Sequence, residues 1–324
     1  MNHHPVTPHR RATLAALAAV LVLVPLGSGA AGAAGAAGAA GSGDAAGSPP
    51  SIYEARAEAA AFANSFAVPA QIDTFTPYSL SETASGSSHG LQSVFYPGFL
   101  LSAAAFQQGF PPPPGTTETL YPQGPTEKNA SVFPLPGGPG SSGKSGPAAS
   151  NGEAHYGSSG SGDSGGAFGS SKTSVSALTA TVRSTADVVL NQVRLGGGLV
   201  ISSIVATAEA TADGTTGGAH NTGSVTLDGL TLSGVPLALT PSQLEAGGQK
   251  TDVPSPEGLN PALAAAGISI HRLPDSRVTA PDGTESRLEL GGYEIRIDQP
   301  SREFHARYVL GRVSVLARAV RSSG

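Results

Sequence analysis

The sequence contains no cysteine and no tryptophan, and only 13% of its 324 residues are charged. The absence of cysteine excludes disulfide bonds, thiolate zinc sites, iron–sulfur clusters and cysteine nucleophiles. Aromatic residues make up only 5% of the chain, so a sugar-binding groove built from aromatic stacking platforms is difficult to assemble. The fold must therefore be stabilised by packing alone.

Positive charge is also scarce. Two of the 18 basic residues, Arg10 and Arg11, lie near the N-terminus, which leaves 16 basic against 23 acidic residues in the rest of the chain. No run of Lys or Arg follows, whereas binding to a polyanion requires a clustered basic surface. The sequence therefore predicts no nucleic acid partner, and nothing in it indicates a cofactor.

The N-terminal segment has the pattern of a secretion signal. Arg10 and Arg11 precede a 13-residue apolar run over 14–26, which small residues follow. Such a run is too short for a permanent membrane span but is typical of a signal peptide. We predict a signal peptide over 1–34, an Ala/Gly spacer over 35–50, and a mature chain without a membrane span that is extracellular or associated with the cell envelope. The arginine pair is also similar to a twin-arginine leader, so both export routes stay open.

A long stretch after residue 110 is dominated by glycine, proline and serine. These three residue types make up 35 of the 62 residues from 111 to 172. A segment of this composition buries too little apolar surface to offset its chain entropy. We therefore predict a disordered insertion over 111–172, between an N-terminal segment over 51–110 and an antiparallel β domain over 173–320.

The rest of the chain alternates between apolar and polar residues in several runs. From 178 to 190 the apolar residues recur on even numbers, and a period of two is typical of half-buried strands. Further strand-like runs, separated by tight turns at Asp-Gly and similar pairs, cover 198–210, 222–239, 286–298 and 303–319. The pattern predicts a mainly β fold, either an antiparallel sandwich or a partly open barrel.

One short helix is predicted within this β domain, over 261–267. Pro261 suits the first helical position, Asn260 the N-cap and Gly267 the C-terminal stop. The segment 51–110 has too little apolar material to fold alone, so we expect it to complete the β core. Within it, residues 54–63 are compatible with either a helix or a strand.

No constellation of residues indicates catalysis or metal binding. The sequence Gly162-Asp163-Ser164-Gly165-Gly166 matches the nucleophile region of chymotrypsin-like proteases, but it lies in a Gly/Ser tract, whereas an oxyanion hole needs fixed amide groups. We interpret it as a chance match. We predict no catalytic, cofactor-binding or metal-binding residues, because the histidines are scattered singly at His89, His155, His220, His271 and His305.

Several segments together resemble a group of uncharacterised secreted proteins of high-GC actinobacteria. These segments are EARAEAAAF, TATVRSTADVVL, LDGLTLSGVPLALTPSQL, LNPALAAAGISI and YVLGRVSVLARA. The resemblance covers about 51–105 and 173–320 and implies secretion and a β-rich architecture. Its motifs are structural and imply no catalytic residues.

Two hypotheses about function follow from the sequence. The first is a non-enzymatic structural or binding module outside the cytoplasm, with a cell-wall or protein partner. The alternative is an extracellular hydrolase, which needs two carboxylates roughly 5 to 10 Å apart in one cleft. The carboxylates available for such a pair are Asp275, Asp282, Glu285 and Glu289.

Overall fold

The computed structural model describes residues 50–68, 70–98, 101–102, 107–133, 138–157, 165–240, 243–246, 249–252, 261–299 and 304–321. The predicted signal peptide, and all of the predicted spacer except Pro50, lie outside these residues. The described chain is mainly β and includes one short α-helix with defined bounds, α1 (Pro261–Ala265). The fold class predicted from the alternation is therefore confirmed.

The strands form two ten-stranded antiparallel sheets. The first sheet contains β1 (Ile52–Val68), β2 (Ala70–Phe75), β3 (Tyr78–Ala84), β4 (Ser87–Ser93), β5 (Thr116–Tyr121), β16 (Ile268–Arg272), β17 (Ser276–Thr279), β18 (Glu285–Leu290), β19 (Tyr293–Gln299) and β20 (Phe304–Val320). The second sheet contains β6 (Glu127–Ser131), β7 (Gly140–Gly146), β8 (Ala149–Gly157), β9 (Gly166–Ser176), β10 (Thr181–Arg194), β11 (Leu199–Ala212), β12 (His220–Leu232), β13 (Val235–Thr240), β14 (Gln243–Ala246) and β15 (Gln249–Asp252).

The two sheets differ in connectivity and pack face to face as a sandwich. In the second sheet every strand pairs with its neighbours in sequence, from β6 to β15. In the first sheet the order is β16-β19-β20-β1-β3-β4-β5, and β18 pairs with the C-terminal half of β20. The central pair, β1 and β20, joins the N-terminal segment to the C-terminal strands over almost their whole length.

Residues 54–63 adopt the strand alternative, within β1. The small side chains of Ala55, Ala57 and Ala59 are fully buried beneath the second sheet, while Glu54 and Arg56 point away from it. Alanine has a high helix propensity, but a period of two places every second residue on the buried face of a sheet. Burial in the sandwich therefore overrides local propensity here.

One half of the interior is an apolar core. It lies between β10, β11 and β12 of the second sheet and β1, β18, β19 and β20 of the first. Its largest fully buried side chains include Leu190, Ile201, Ile204, Leu288, Ile295 and Leu310. Burial of such side chains is the main stabilising contribution to a sandwich of this type.

The other half of the interior is polar. Between β3, β4 and β5 and the facing strands β7, β8 and β9, the buried side chains form a hydroxyl layer. It consists of the hydroxyl side chains of Ser79, Ser81, Thr83, Thr117, Thr119, Ser141, Ser145, Ser150, Ser171 and Thr173, together with the amide side chain of Gln92.

Hydrogen bonds between the sheets satisfy the hydroxyl layer. The Ser171 hydroxyl lies 2.8 Å from that of Ser79 and 2.9 Å from that of Ser81, and the hydroxyls of Thr83 and Thr173 are 2.6 Å apart. Because buried hydroxyls are costly only when they lack partners, a Ser- and Thr-rich sequence can fill this half of the core.

The prediction of a disordered insertion over 111–172 is wrong for the described part of that range. Strands β5, β6, β7 and β8 and the start of β9 lie there, and residues 134–137 and 158–164 lie outside the described residues. The inward positions carry mainly glycine, serine and threonine. Their small size and their paired hydroxyls allow the two sheets to approach closely.

A change of phase occurs in the middle of several long strands. In β20 the buried positions are even-numbered up to Leu310 and odd-numbered from Val313, and Gly311 between them has φ +72°. In the second sheet Gln192 of β10 and Gly229 of β12 have φ +52° and +64°, and both lie level with Ser202 of β11. Positive φ rotates the chain so that the next residues present the opposite face.

The alternating run over 178–190, predicted as a strand, begins in a turn and not in a strand. β9 ends at Ser176 and β10 begins at Thr181, so residues 177–180 form the turn of a hairpin. Leu178, which the alternation assigned to the buried face, is 75% exposed.

Candidate functional site

An open groove crosses the outer face of the second sheet. It has a volume of about 350 Å³ and is lined by residues of β6, β7, β8, β9 and β10. Apart from two glycines, every lining side chain is polar or charged. The groove is formed largely by the Gly/Ser-rich region that was predicted to be disordered.

Two rows of side chains run across the strands and make up most of the groove. The strand registers align the first row as Glu127, Lys144, Asn151, Lys172 and Thr185. They align the second row as Asn129, Ser142, Glu153, Ser170 and Asp187. With a strand spacing of about 4.8 Å, each row extends about 19 Å across five strands.

Glycines lie between the two rows. Gly143 of β7 and Gly152 of β8 pair with each other. A Cβ atom at either position would point inward, against Gln92 of the hydroxyl layer. The backbone itself therefore lines the groove at this point. Gln92 is fully buried; its Nε2 donates to the Leu80 carbonyl at 2.9 Å, and its Oε1 accepts from Thr117 at 3.2 Å.

The charges in the groove are close to balanced. Lys144 forms an ion pair with Glu127 at 3.5 Å, and the Ser170 hydroxyl donates to Asp187 at 3.3 Å. Burial raises the pKa of Asp187, and the nearby charge of Glu209 adds to the effect, while the Ser170 hydrogen bond opposes it. The two rows together contain two lysines and three carboxylates.

Several groove side chains have no protein partner. Among the residues that the structure describes, none forms a hydrogen bond or ion pair with the side chain of Asn129, Asn151, Glu153 or Lys172. All four are exposed. The groove thus presents both hydrogen-bond donors and acceptors to a ligand.

A second polar cluster lies on the outer face of the first sheet. His89 of β4 lies between two carboxylates: its Nδ1 is 3.4 Å from Glu82 and its Nε2 is 3.2 Å from Glu118. The hydrogen bond to Glu82 raises the pKa of His89 most strongly; burial opposes the rise, and Glu118 adds to it. The histidines were predicted to be isolated, but sheet pairing brings carboxylates from β3 and β5 to His89.

We expect the His89 cluster to stabilise the fold more at acidic than at alkaline pH. A raised folded-state pKa contributes stability that is complete below the unfolded value and is lost as the pH rises through the folded one. The destabilisation caused by His89→Gln should therefore be larger at about pH 5.5 than at about pH 8.5 in thermal unfolding. An exposed histidine, changed in His220→Gln, serves as the control. Equal destabilisation by His89→Gln at both pH values would contradict the expectation.

One charged side chain of β19 is buried. Glu294 is only 2% exposed, and its two carboxylate oxygens accept hydrogen bonds of 2.5 Å from Arg296 and Arg307. Burial alone would raise the pKa of Glu294, but the hydrogen bonds and charges of Arg307 and Arg296 outweigh it and hold the pKa below its usual range. This cluster serves to pair β19 with β20.

The carboxylates considered for a hydrolase occupy structural positions. Asp275 pairs with Arg272 at 2.7 Å, and Asp282 accepts hydrogen bonds from the Thr284 amide and hydroxyl within its own turn. Glu285 pairs with Arg318 at 2.7 Å, and Glu289 pairs with Arg312 at 3.2 Å. Glu285 and Glu289 lie four residues apart on β18, about 13 Å along a strand, which exceeds the separation that glycosidases use.

The remaining motifs have limited structural context. Residues 162–164 of the protease-like motif lie outside the described residues, and Gly166 begins β9. His305 of β20 lies 2.6 Å from Asp298 of β19, and both side chains are exposed. His155 contacts the Gly138 carbonyl. Within the described ranges no group of three or more His, Asp or Glu side chains could hold a metal ion. No helix in this part of the chain is long and apolar enough to cross a membrane.

No protein-family model matches the chain, and no curated protein or solved structure matches it either. The groove must therefore be interpreted from its own geometry. The sequence does contain a signal for the groove. Over 140–157, small residues alternate with larger polar residues such as Lys144, Asn151 and Glu153, and this period of two is typical of a strand.

Proposed function

We propose that the protein is an exported, non-enzymatic β-sandwich module that binds a component of the cell envelope or of the surroundings through the groove of β6–β10. The observation that carries this proposal is the open polar groove, with its unpartnered donors and acceptors. The secretion pattern of residues 1–34 and the resemblance to secreted proteins support the same location. The second sheet holds these side chains on adjacent strands, which positions them more rigidly than a loop would.

Fractionation of the native host tests this function. The wild-type protein and the double variant Asn151→Ala/Lys172→Ala are followed by mass spectrometry through medium, wall and membrane fractions. We expect the wild type in the wall or membrane fraction, released by high salt or detergent, and the groove variant in the medium. Lys128→Ala, on the same sheet but outside the groove lining, should behave like the wild type. Recovery of the wild type as a free species in the medium would contradict binding to the cell envelope and leave only a ligand from the surroundings.

An extracellular hydrolase is the second candidate, and the groove offers one observation in its favour. Glu153 and Asp187 lie in the same row, two strands apart, with their Cα atoms about 10 Å from each other. The raised pKa of Asp187 would suit a proton donor. Release of reducing ends from polysaccharides by the wild type, with loss of this activity in Asp187→Asn, would favour the hydrolase over the binding module.

A further inference from the structure

The side chains that line the groove limit the class of ligand that it can bind. Both of its lysines lie in the first row with Glu127, and the second row carries Glu153 and Asp187. Uncharged amide and hydroxyl side chains lie beside these charges, and two lysines against three carboxylates leave the groove a net formal charge of only −1. A hydroxyl group both donates and accepts hydrogen bonds. A chain of hydroxyl groups can therefore satisfy asparagine, lysine and glutamate side chains in turn.

We propose that the groove binds an uncharged polysaccharide laid across the strands β6–β10, an inference that rests on the binding function proposed above. Asn151 and Lys172, which are paired neighbours on β8 and β9, lie at the centre of the first row and donate to the sugar hydroxyls. Glu153 and Asn129 in the second row supply the acceptors.

Two other macromolecular ligands fit the groove less well. The cores of protein interfaces are enriched in aromatic and methionine side chains, whereas the groove lining contains neither. A polyanion gains affinity by releasing counterions from clustered cations, whereas here carboxylates outnumber lysines. An uncharged, hydroxyl-rich polymer needs no cluster of cations. It can bind through hydrogen bonds, without the aromatic stacking platforms that this composition makes difficult to assemble.

The length of the groove determines how binding depends on the length of the ligand. Each hydrogen bond exchanged with water has a small net contribution, and no aromatic ring lines the groove. A monosaccharide should therefore bind too weakly to detect. Affinity should rise with chain length until the ligand spans the rows, about 19 Å, and then level off.

A glycan array containing neutral, uronic-acid and sulfated glycans, followed by calorimetry, tests the proposal. The full-length secreted chain should bind neutral glycans on the array. Calorimetry with the bound type, from the disaccharide to the hexasaccharide, should show rising affinity that high salt leaves unchanged. Asn151→Ala/Lys172→Ala should weaken binding by at least about tenfold, whereas Lys128→Ala should bind as the wild type does. Equal melting temperatures will show that both variants are folded.

Three results would overturn the proposal. They are binding confined to acidic or sulfated glycans, no binding to any neutral glycan on the array, and neutral-glycan binding that the groove variant retains. The binding function proposed above can hold even if the polysaccharide proposal fails, and the two experiments together distinguish these cases. If no glycan binds but the groove variant still leaves the envelope fraction, the groove binds another class of ligand, such as a protein. If glycans bind and the protein is free in the medium, only the envelope location is wrong.

Discussion

The substitution Gly152→Ala should destabilise the protein by about 1–3 kcal/mol, because it overpacks the junction between the hydroxyl layer and the groove. A Cβ at this position would overlap Cδ and Nε2 of Gln92. Gln92 cannot move away without losing its hydrogen bonds to Leu80 and Thr117. Chemical denaturation measures the change, with Gly146→Ala in the neighbouring strand as the control, since a Cβ there has no neighbour closer than 3.9 Å.

A double-mutant cycle strengthens this test. In Gln92→Ala/Gly152→Ala the truncated Gln92 leaves room for the new methyl group. The double variant should therefore be more stable than the sum of the single changes predicts, as residues in direct contact usually show. If Gly152→Ala and Gly146→Ala were equally mild, or the two substitutions were simply additive, then Gln92 would not lie against β8.

The substitution Leu310→Ala should lower the free energy of unfolding by about 2–5 kcal/mol, the range observed when a large buried side chain leaves a cavity. Leu310 is 0% exposed, and its strand β20 pairs there with Phe62 of β1 and Tyr293 of β19. The cavity would thus open at the centre of the apolar core. Urea or guanidinium titration measures the change.

The matched control for the core is Leu178→Ala. Leu178 is 75% exposed in the turn between β9 and β10, so we expect a change within about 0.5 kcal/mol. A similar loss of stability in both leucine variants would mean that the core is not where the fold places it.

The fold class was predictable from the sequence because the C-terminal strands alternate in apolar residues. Val182, Ala186 and Val188 are all buried in β10, as their spacing indicates. The limits of such a prediction lie at Gly311 and Gln192, where positive φ changes the phase of alternation inside a strand. A period counted across such a point assigns residues to the wrong face, and nothing local distinguishes a phase change from a turn.

The groove was not predicted, because hydrophobic periodicity was the only pattern used to identify strands. In β7 and β8 most inward residues are serine or glycine, among them Ser141, Gly143, Ser150 and Gly152, and hydrophobic periodicity does not count these as core. Their burial depends on partners in β3, β4 and β5, far away in sequence. The carboxylates beside His89 were not predicted either. Sheet register, and not sequence spacing, brings Glu82 and Glu118 close to His89.

Amide hydrogen exchange of the Gly/Ser-rich region tests the central claim, that residues 140–146, 149–157 and 166–176 are paired strands that support a binding groove. The backbone amides of β7, β8 and β9 are paired on both sides. Native-state exchange followed by mass spectrometry should therefore show these peptides protected by more than about a hundredfold relative to their intrinsic rates, as expected for strands inside a folded unit. Exchange at the intrinsic rate would mean that the region is not folded as a sheet, and the groove and the function proposed for it would be lost together.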